Sequence, residues 1–408
     1  MNEHDERVTI VNSAQLMPGQ QVWQLIPTNT RHIRILTGGD QAKLADAYGT
    51  IRGLMDVSAP GDAGPTVYLA NHRPSRTTYL LTGGDKVTLP RDASYLFYNL
   101  QELEDVDVDR LDCSRTESLA HAFENCVSLT KLDLSGWAAS ERLTSLKATF
   151  SGCLGLREVD LTGWDTSRLE DASFLFADCR FLREASVGGL VTDATTDMSY
   201  LFYGCNELER LAVGDWQTGS VASMDHLFDG CWQLGSIDTA GWDTSAAKSM
   251  RWMFNDCHSL TAAQVAGFNV GNVTDMSRMF AGCTLLREIP VRNWDTSHTE
   301  DLSSMFSNCT SLESLPVEAW DTSRVASMRQ MFYQCASLTS LDLRGWDTAS
   351  LRQSAWMFDG VSNAMIYGRD RVTSHRERPA ATQPRRPRDP VPTPTAQAPA
   401  TKVSARVR

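Results

Sequence analysis

The 408-residue sequence contains no long hydrophobic run. No stretch approaches the roughly eighteen uninterrupted apolar residues that a membrane-spanning helix requires. The first residues, MNEHDERVTIVNSAQL, are charged and lack the apolar core of a secretory signal. We therefore expect no transmembrane segment. We expect the protein to stay inside the cell, to leave it by another route, or to have a precursor that starts elsewhere.

Signatures of catalysis are also missing. No GxSxG, HExxH, P-loop or GxGxxG motif occurs in a suitable context. The sequence TGGD, at 37–40 and 82–85, is a turn signal, because no helix with a phosphate-binding Lys and Ser or Thr follows it. The histidines are scattered along the repeat described below, among them His121, His226, His258 and His298. The sequence predicts that the protein is not an enzyme and carries no cofactor.

Positive charge is scarce outside the C terminus. Residues 369–408 hold ten Lys or Arg against three Asp or Glu, so the total of −12 leaves −19 on residues 1–368. Such a body is a poor binder of nucleic acid. The same forty C-terminal residues contain seven of the fifteen prolines and show no periodicity. We interpret 369–408 as a disordered, basic, proline-rich tail.

Much of the sequence consists of one repeated pattern. A Phe recurs every 26 residues, with a single step of 27, and a Cys follows three residues after it in nine copies. The phenylalanines are Phe97, Phe123, Phe150, Phe176, Phe202, Phe228, Phe254, Phe280, Phe306, Phe332 and Phe358. The cysteines are Cys126, Cys153, Cys179, Cys205, Cys231, Cys257, Cys283, Cys309 and Cys335. A fixed period of this length indicates stacked structural repeats.

Each copy combines two apolar rhythms. Val325, Met328 and Phe332 recur at three-to-four spacing, which predicts a short helix or 3₁₀ segment. The following LTSLDL alternates as a short strand does. Between strand and helix lies WDTS, a turn in which Ser323 is a candidate N-cap. One unit of this size cannot bury enough apolar surface alone, so about ten repeats are expected to stack as a solenoid over residues 93–368.

The repeated cysteines have a structural and a chemical interpretation. Their spacing does not fit a zinc site, and side chains in register on parallel strands are poorly placed for disulfides. We therefore predict buried free thiols rather than a metal site. Cys113 differs, because it replaces the Thr of the turn in LDCS, and it is predicted to be exposed and reactive.

Trp and Asp also recur at fixed positions. The Trp of WDTS could form a platform for sugars, and the Asp could line a calcium track. Packing at the edge of the core explains the Trp more simply, and turn formation explains the Asp, since the glycine-rich repeats of calcium-binding β-rolls are absent.

Strand alternation defines a candidate binding face. Leu132 and Leu134 are expected to point inward, which leaves their neighbours and the equivalent residues of other repeats outside. These outward positions are Lys131, Asp133, Glu158, Asp160, Arg210, Ser236, Asp238, Glu288, Arg292, Ser314, Ser340, Asp342 and Arg344. A long, shallow, polar face of this kind favours an extended protein or glycan over a small molecule.

The repeat resembles a known family. The pattern MFxxCxxLxxLDLxxWDTSxVxxM, nearly complete at 253–279, 279–302, 305–328 and 331–357, is similar to the 26-residue leucine-rich repeat of BspA-like bacterial surface proteins. The resemblance implies a leucine-rich-repeat solenoid with one parallel sheet and short helices or 3₁₀ turns opposite. It further implies a surface-displayed or secreted protein that adheres to host or neighbouring cells, although no LPxTG anchor is visible.

The remaining N-terminal residues, 1–92, read as strands separated by GG turns. RHIRILTG, TVYLANH and TTYLLTGGDKVTLP lead directly into the first repeat, so a β-rich cap is the preferred interpretation and a separate binding module is the alternative. An alternative function for the whole chain is a structural or scaffold protein, intracellular or wall-associated, whose basic tail holds an anionic polymer.

Overall fold

The computed structural model describes residues 13–40, 43, 54–60, 65–134, 137 and 141–373. Ser135 and residues 374–408, most of the predicted tail, lie outside the described residues. Within the described part the protein is β-rich, has few helices, and consists of tandem repeats that pair through several small parallel sheets.

The N-terminal region consists of short strands around one helix. Its elements are β1 (Ser13–Gln15), α1 (Gly19–Leu25), β2 (His32–Leu36), a 3₁₀ turn (Gly38–Asp40), β3 (Met55–Asp56), β4 (Val67–His72), β5 (Thr77–Thr82) and β6 (Lys86–Thr88). The three segments predicted as strands correspond to β2, β4, and β5 together with β6. Apolar and polar residues alternate on β2 because its side chains point alternately to the core and to the outside. Ile33 and Ile35 are buried, and their neighbours on β2 are partly exposed.

Two sheets join this region to the first repeat. β7 (Asp105–Val106) and β8 (Leu111–Asp112) lie on either side of a 3₁₀ turn (Val108–Arg110) of that repeat. The five-stranded sheet has the order β3-β4-β5-β2-β7, and a parallel three-stranded sheet has the order β1-β6-β8. Leu16, Val22 and Leu80 share one buried core with Phe97. The described part of the predicted cap, residues 1–92, therefore packs onto the first repeat.

Later repeats contribute very short strands. These are β9 (Glu158–Asp160), β10 (Glu184–Ser186), β11 (Arg210–Leu211), β12 (Ser236–Ile237), β13 (Ala262–Ala263), β14 (Ser340–Asp342) and β15 (Met365–Tyr367). β9 to β11 pair in parallel with equivalent residues side by side, as Glu158 pairs with Glu184 and Glu184 with Arg210. The other two sheets are the pairs β12-β13 and β14-β15.

The predicted single sheet is therefore wrong, and prolines explain one of its interruptions. Pro290 and Pro316 occupy the strand position in the two repeats between β13 and β14, where no strand forms. Proline has no N–H to donate to a neighbouring strand, so it is excluded from the centre of a ladder. The repeats continue through this part of the molecule without a continuous sheet.

The predicted helical segments form consecutive turns instead. In one repeat the amides of His121, Phe123 and Asn125 donate to carbonyls of the next repeat at N···O distances of 2.7–2.9 Å. The intervening amides of Ala122 and Glu124 donate to carbonyls three residues earlier in the chain. Alternate amides thus point along the stacking direction, which an α-helix does not permit. Hydrogen bonding between repeats overrides the helical spacing of the apolar residues.

Left-handed backbone at two positions of each repeat makes these turns possible. The residue two places after the Phe has φ between +55° and +82°, and in ten of eleven repeats it is Gly, Asn or Asp, which tolerate this conformation best. The residue two places before the Phe has φ between +50° and +64° and is often large. Examples at the second position are Tyr200, His226 and Trp252.

The WDTS turn is closed by its Asp. The amide of Ser323 donates to Oδ1 of Asp321 at 2.9 Å, and no helix follows in this repeat, so the predicted N-cap role of Ser323 is wrong. Thr322 Oγ1 donates to the carbonyl of Asp347 in the next repeat at 2.8 Å. Hydrogen bonds from Ser323 lower the pKa of the Asp321 carboxyl. The Asp thus forms the turn, as predicted, while the Thr links neighbouring repeats.

Aromatic rows and cysteines fill the core. Neighbouring Phe rings of the repeat lie 5.2–6.0 Å apart between centroids along the whole stack. Each repeated Cys donates its thiol to the carbonyl of the Phe in the preceding repeat, as Cys257 does to Phe228 at 3.2 Å. All ten cysteines are free and buried, which confirms the predicted buried thiols. The exception predicted at Cys113 is wrong: burial raises its pKa to about 12.

The Trp row forms one edge of the same core. Trp216, Trp320 and Trp346 are at most 2% exposed, and Trp346 Nε1 donates to the carbonyl of Val317 at 2.9 Å. The interpretation of the Trp row as packing is therefore confirmed. Trp164, in the repeat after the 27-residue step, has the single buried side-chain N–H or O–H group without a hydrogen-bond acceptor among the described residues.

A short helix ends the described structure. α2 (Arg369–Thr373) follows β15, and Val372 on it is fully buried. The Arg369 guanidinium lies 5.3 Å from the ring centroid of Phe358, the last Phe of the row. Folded structure thus extends five residues into the segment 369–408 that the sequence predicts to be disordered.

Candidate binding face

The structure places the predicted face residues on the outside of the stack. Twelve of the thirteen are exposed, and Asp342 is partly exposed. Between them the inward positions Leu132, Val159, Ile237 and Leu341 are at most 7% exposed. The alternation expected of a strand therefore holds at each of these sites, including positions where no strand is formed.

Part of this face forms a groove with a volume of about 760 Å³ that crosses five repeats. Its lining runs from Ala240 through Thr261, Ala262, Ala263, Gln264, Ala266, Gly267, Glu288, Ile289, Pro290, Arg292, Ser314, Leu315, Pro316, Glu318, Ser340 and Leu341 to Asp342. Small side chains and prolines make up much of this lining, so the backbone of several repeats is accessible from outside.

The groove brings together five of the thirteen predicted residues. These are Glu288, Arg292, Ser314, Ser340 and Asp342. The other eight lie on the same face but outside the groove: Lys131, Asp133, Glu158, Asp160, Arg210, Ser236, Asp238 and Arg344. The candidate face thus contains a concave part in its C-terminal half.

The charges of the groove are mostly negative. Three of its four charged side chains are the carboxylates of Glu288, Glu318 and Asp342, and the fourth is the guanidinium of Arg292. Arg292 pairs with Glu318, and Arg344 at the rim pairs with Asp342 at 2.7 Å. The bond from Arg344 lowers the pKa of Asp342 to about 2. Asp342 is therefore ionised at neutral pH, and the lining has more acidic than basic side chains.

Several acidic face residues also hold their own turns. The amide of Thr162 donates to Asp160 Oδ1 at 2.8 Å, and the amide of Ala240 donates to Asp238 Oδ1 at 3.1 Å. A side-chain hydrogen bond from Thr162, together with its backbone bond, lowers the pKa of Asp160. Such an Asp has one carboxylate oxygen committed to the backbone of its own turn.

Sequence reasoning missed the outward strand positions of one repeat that lines the groove. Ala262, Gln264 and Ala266 line it but belong to the repeat in which Phe268 replaces the Trp and the DTS is lost. The signal was present, because TAAQVAGF alternates as the other strands do. The small alanines there deepen the groove, so the departure from the repeat pattern is what shapes the site.

A column of rings on the turn side was also missed. Tyr200 and His226 stack with centroids 4.4 Å apart, His226 and Trp252 stack at 5.2 Å, and the Arg278 guanidinium lies 4.4 Å from the Trp252 centroid. Contrary to the predicted scatter of histidines, His121 and His226 share one repeat position, two residues before the Phe. His226 Nδ1 lies 2.8 Å from Asp229 Oδ2. The ring faces cover one another, so this column packs rather than offers a platform.

Two observations concern metal binding and membrane spanning in the described part of the chain. No three His, Cys, Asp or Glu side chains converge there so as to hold a metal ion. Nor does that part contain a helix of the length and apolarity needed to cross a membrane.

Comparison with known proteins gives a family but no activity. A family described as "Mycoplasma protein of unknown function, DUF285" matches residues 91–187, 182–287 and 251–366. No curated protein and no solved structure matches the chain. The three overlapping matches cover the tandem repeats, from the first to the last, and well over half of the sequence. On this ground the chain belongs to the DUF285 family.

Proposed function

We propose that this protein is a non-enzymatic binding protein that holds an extended protein or glycan of host or neighbouring cells on its candidate binding face. The groove across five repeats is the observation that carries this proposal. It has an open, polar lining of small residues and accessible backbone rather than a deep apolar pocket with a few convergent polar groups. Such a surface suits a chain-like partner that contacts several repeats at once.

We also propose that the repeats form a leucine-rich-repeat solenoid of the BspA-like type. Parallel pairing of equivalent residues, the continuous Phe row and the stacked Trp residues support this arrangement. The resemblance to BspA-like surface proteins in turn supports a location on a bacterial surface or in the secreted fraction.

The binding proposal is tested by reversing the charge of the groove. In the triple variant Glu288→Lys, Ser314→Lys and Ser340→Lys, three lysines replace exposed groove side chains. Binding to a printed array of host matrix proteins and glycans should fall about tenfold or more, because introduced like charges and bulk oppose a partner fitted to the native face.

The control carries lysines on another side of the same repeats. Glu300→Lys, Thr310→Lys and Ser337→Lys alter exposed residues outside the groove and should leave array binding unchanged. Both triple variants should keep the native melting temperature, while Leu132→Asp should unfold the array because it buries a charge. Equal array binding by the two triple variants would refute the proposed site.

The proposed location needs a separate experiment. Intact cells are treated with a membrane-impermeant amine reagent, and a cytosolic protein serves as the leakage control. Modification of this protein is the expected result. An unmodified protein recovered in the soluble fraction of lysed cells would contradict surface display and favour an internal scaffold.

A further inference from the structure

The chain leaves the described structure next to the groove. β15 pairs with β14 through Ser340 with Met365 and Asp342 with Tyr367. Ser340 and Asp342 also line one end of the groove. α2 follows immediately and ends at Thr373. The next residues therefore start within about one repeat of the groove.

The sequence that follows is opposite in charge to the groove. Residues 374–408 contain eight Lys or Arg against two Asp or Glu. The most basic stretch is PRRPRDP at 384–390, in which Arg385, Arg386 and Arg388 alternate with prolines. Sequences of this kind favour an extended polyproline conformation without internal hydrogen bonds, which leaves their polar groups available to a partner.

We propose that the groove is occupied in cis by the segment 384–390, which competes there with the external partner. This inference rests on the proposed function, because it assigns an internal competitor to the same face. The three arginines of the segment face the carboxylates of Glu288, Glu318 and Asp342. The groove crosses five repeats, and the segment is opposite to it in charge.

The connection is long enough for this contact. Twelve residues lead from Thr373 to Arg385, and fully extended they span about 40 Å. The groove crosses five repeats, which at about 4.8 Å per strand is roughly 20 Å. The segment can therefore reach any part of the groove without unfolding α2.

The contact between the segment 384–390 and the groove is weak by itself, but it is favoured because both belong to one chain. Arg292 and Arg344 already pair with Glu318 and Asp342, so an incoming arginine competes with internal cations. A short linker raises the effective concentration of the segment to the order of mM. A contact with a sub-millimolar dissociation constant is then mostly formed in cis, yet a better external ligand still displaces it.

Burial of the native thiols allows a clean test on the full chain. All ten native cysteines are buried, so an introduced surface Cys is the site that a water-soluble maleimide modifies. Ser314→Cys places this probe in the groove, and Asp160→Cys places a control on the same face outside it. Each probe is compared with and without the tail substitutions Arg385→Gln, Arg386→Gln and Arg388→Gln.

Removal of the tail charges should raise the labelling rate of Ser314→Cys about fivefold, as expected when an effective concentration in the mM range exceeds the dissociation constant several times. Salt at about 0.5 M should do the same, because it screens the contact. The rate at Asp160→Cys should change under neither condition. Ser340→Cys, at the end of the groove nearest to β15, repeats the measurement if the first probe disturbs folding.

Two results would overturn the inference. Equal labelling of Ser314→Cys with native and neutralised tails would show an empty groove. Protection that weakens on dilution would assign the contact to the tail of a second copy. Either result leaves the proposed function standing, since array binding tests that separately. Conversely, the tail could protect Ser314→Cys from labelling while the triple lysine variant of the groove still binds the array normally. That result would remove only the proposed function.

Discussion

At the scale of single residues, the repeated cysteine meets two demands at once. Its position, as at Cys257, is fully buried, and its thiol is a second donor to the carbonyl of Phe228, which also accepts the amide of Cys231 at 3.1 Å. An alanine would remove this hydrogen bond between repeats, and a serine would bring a more strongly hydrated hydroxyl into the core. The thiol is small, nearly apolar and a weak donor, so it fits where neither alternative does.

Thiol reactivity tests this account. In the native protein at pH 8, a thiol reagent such as a disulfide dye should find no fast-reacting group, because burial raises the pKa of Cys113 to about 12 and those of the repeated thiols as well. In guanidinium all ten cysteines should react. One fast thiol in the native protein would mean that Cys113 is accessible, as its sequence context suggested.

Two aspartates should respond oppositely to the same substitution. Burial, with a contribution from Asp275, raises the pKa of Asp301, so its ionised form weakens folding above the unfolded pKa. Hydrogen bonds from Ser323 lower the pKa of Asp321, so its ionised form stabilises folding, and this stability is lost as pH falls through the folded pKa. At pH 7, Asp301→Asn should raise the urea midpoint and Asp321→Asn should lower it.

The pH dependence provides the control for this pair. The difference in urea midpoint between each variant and the native protein should shrink as the pH falls below about 4, because the carboxyls become protonated there. Urea unfolding curves at pH 7 and pH 3.5 measure them. A shift of the same sign for both variants at pH 7 would contradict the assigned environments.

At the scale of elements, the sequence predicted strands better than turns. The N-terminal strands and the inward Leu132 and Val159 follow from alternation alone, which needs only neighbouring residues. The predicted helices failed because alternate amides, such as that of Phe123, bond to the next repeat. A local signal did exist: Gly, Asn or Asp recurs two residues after each Phe in all but one repeat, and these residues favour a left-handed turn over a helix.

Glycine substitution measures the importance of that turn. Gly230 has φ of +78°, and a Cβ added there would meet no atom closer than 3.5 Å, so Gly230→Ala tests the backbone conformation rather than a clash. It should lower the free energy of unfolding by about 1–2 kcal/mol. Gly189→Ala, with open space and no left-handed φ, should change it little. Equal effects in urea unfolding would show that the turn does not depend on glycine.

At the scale of the whole molecule, the stack was predictable and the groove was not. The period fixes which residues lie side by side, and Glu158, Glu184 and Arg210 do pair in that register. The groove instead depends on departures from the period, above all the small side chains near Ala262 and the prolines Pro290 and Pro316. A consensus repeat averages such departures away, so only the structure locates the concave part of the face.

Deleting one whole repeat tests the proposed solenoid. Removing residues 254–279 joins Met253 to Phe280 and restores the repeat pattern across the junction, so the product should fold with a modestly lower melting temperature, since stability sums over repeats and their interfaces. Removing only 254–266 places strand residues against turn residues and should prevent cooperative folding. Circular dichroism during heating distinguishes the two deletion variants. Equal loss of structure in both deletions would argue against independent, stackable units.

The Trp row gives the molecule an optical property of its own. Trp294, Trp320 and Trp346 lie nearly parallel, with centroids 6.1 and 6.5 Å apart. Indoles this close exchange excitation energy faster than they emit, so a photon absorbed by one of them is shared along the row. Their fluorescence therefore reports the alignment of several repeats at once. A single quencher at one end would quench the fluorescence of all three Trp residues.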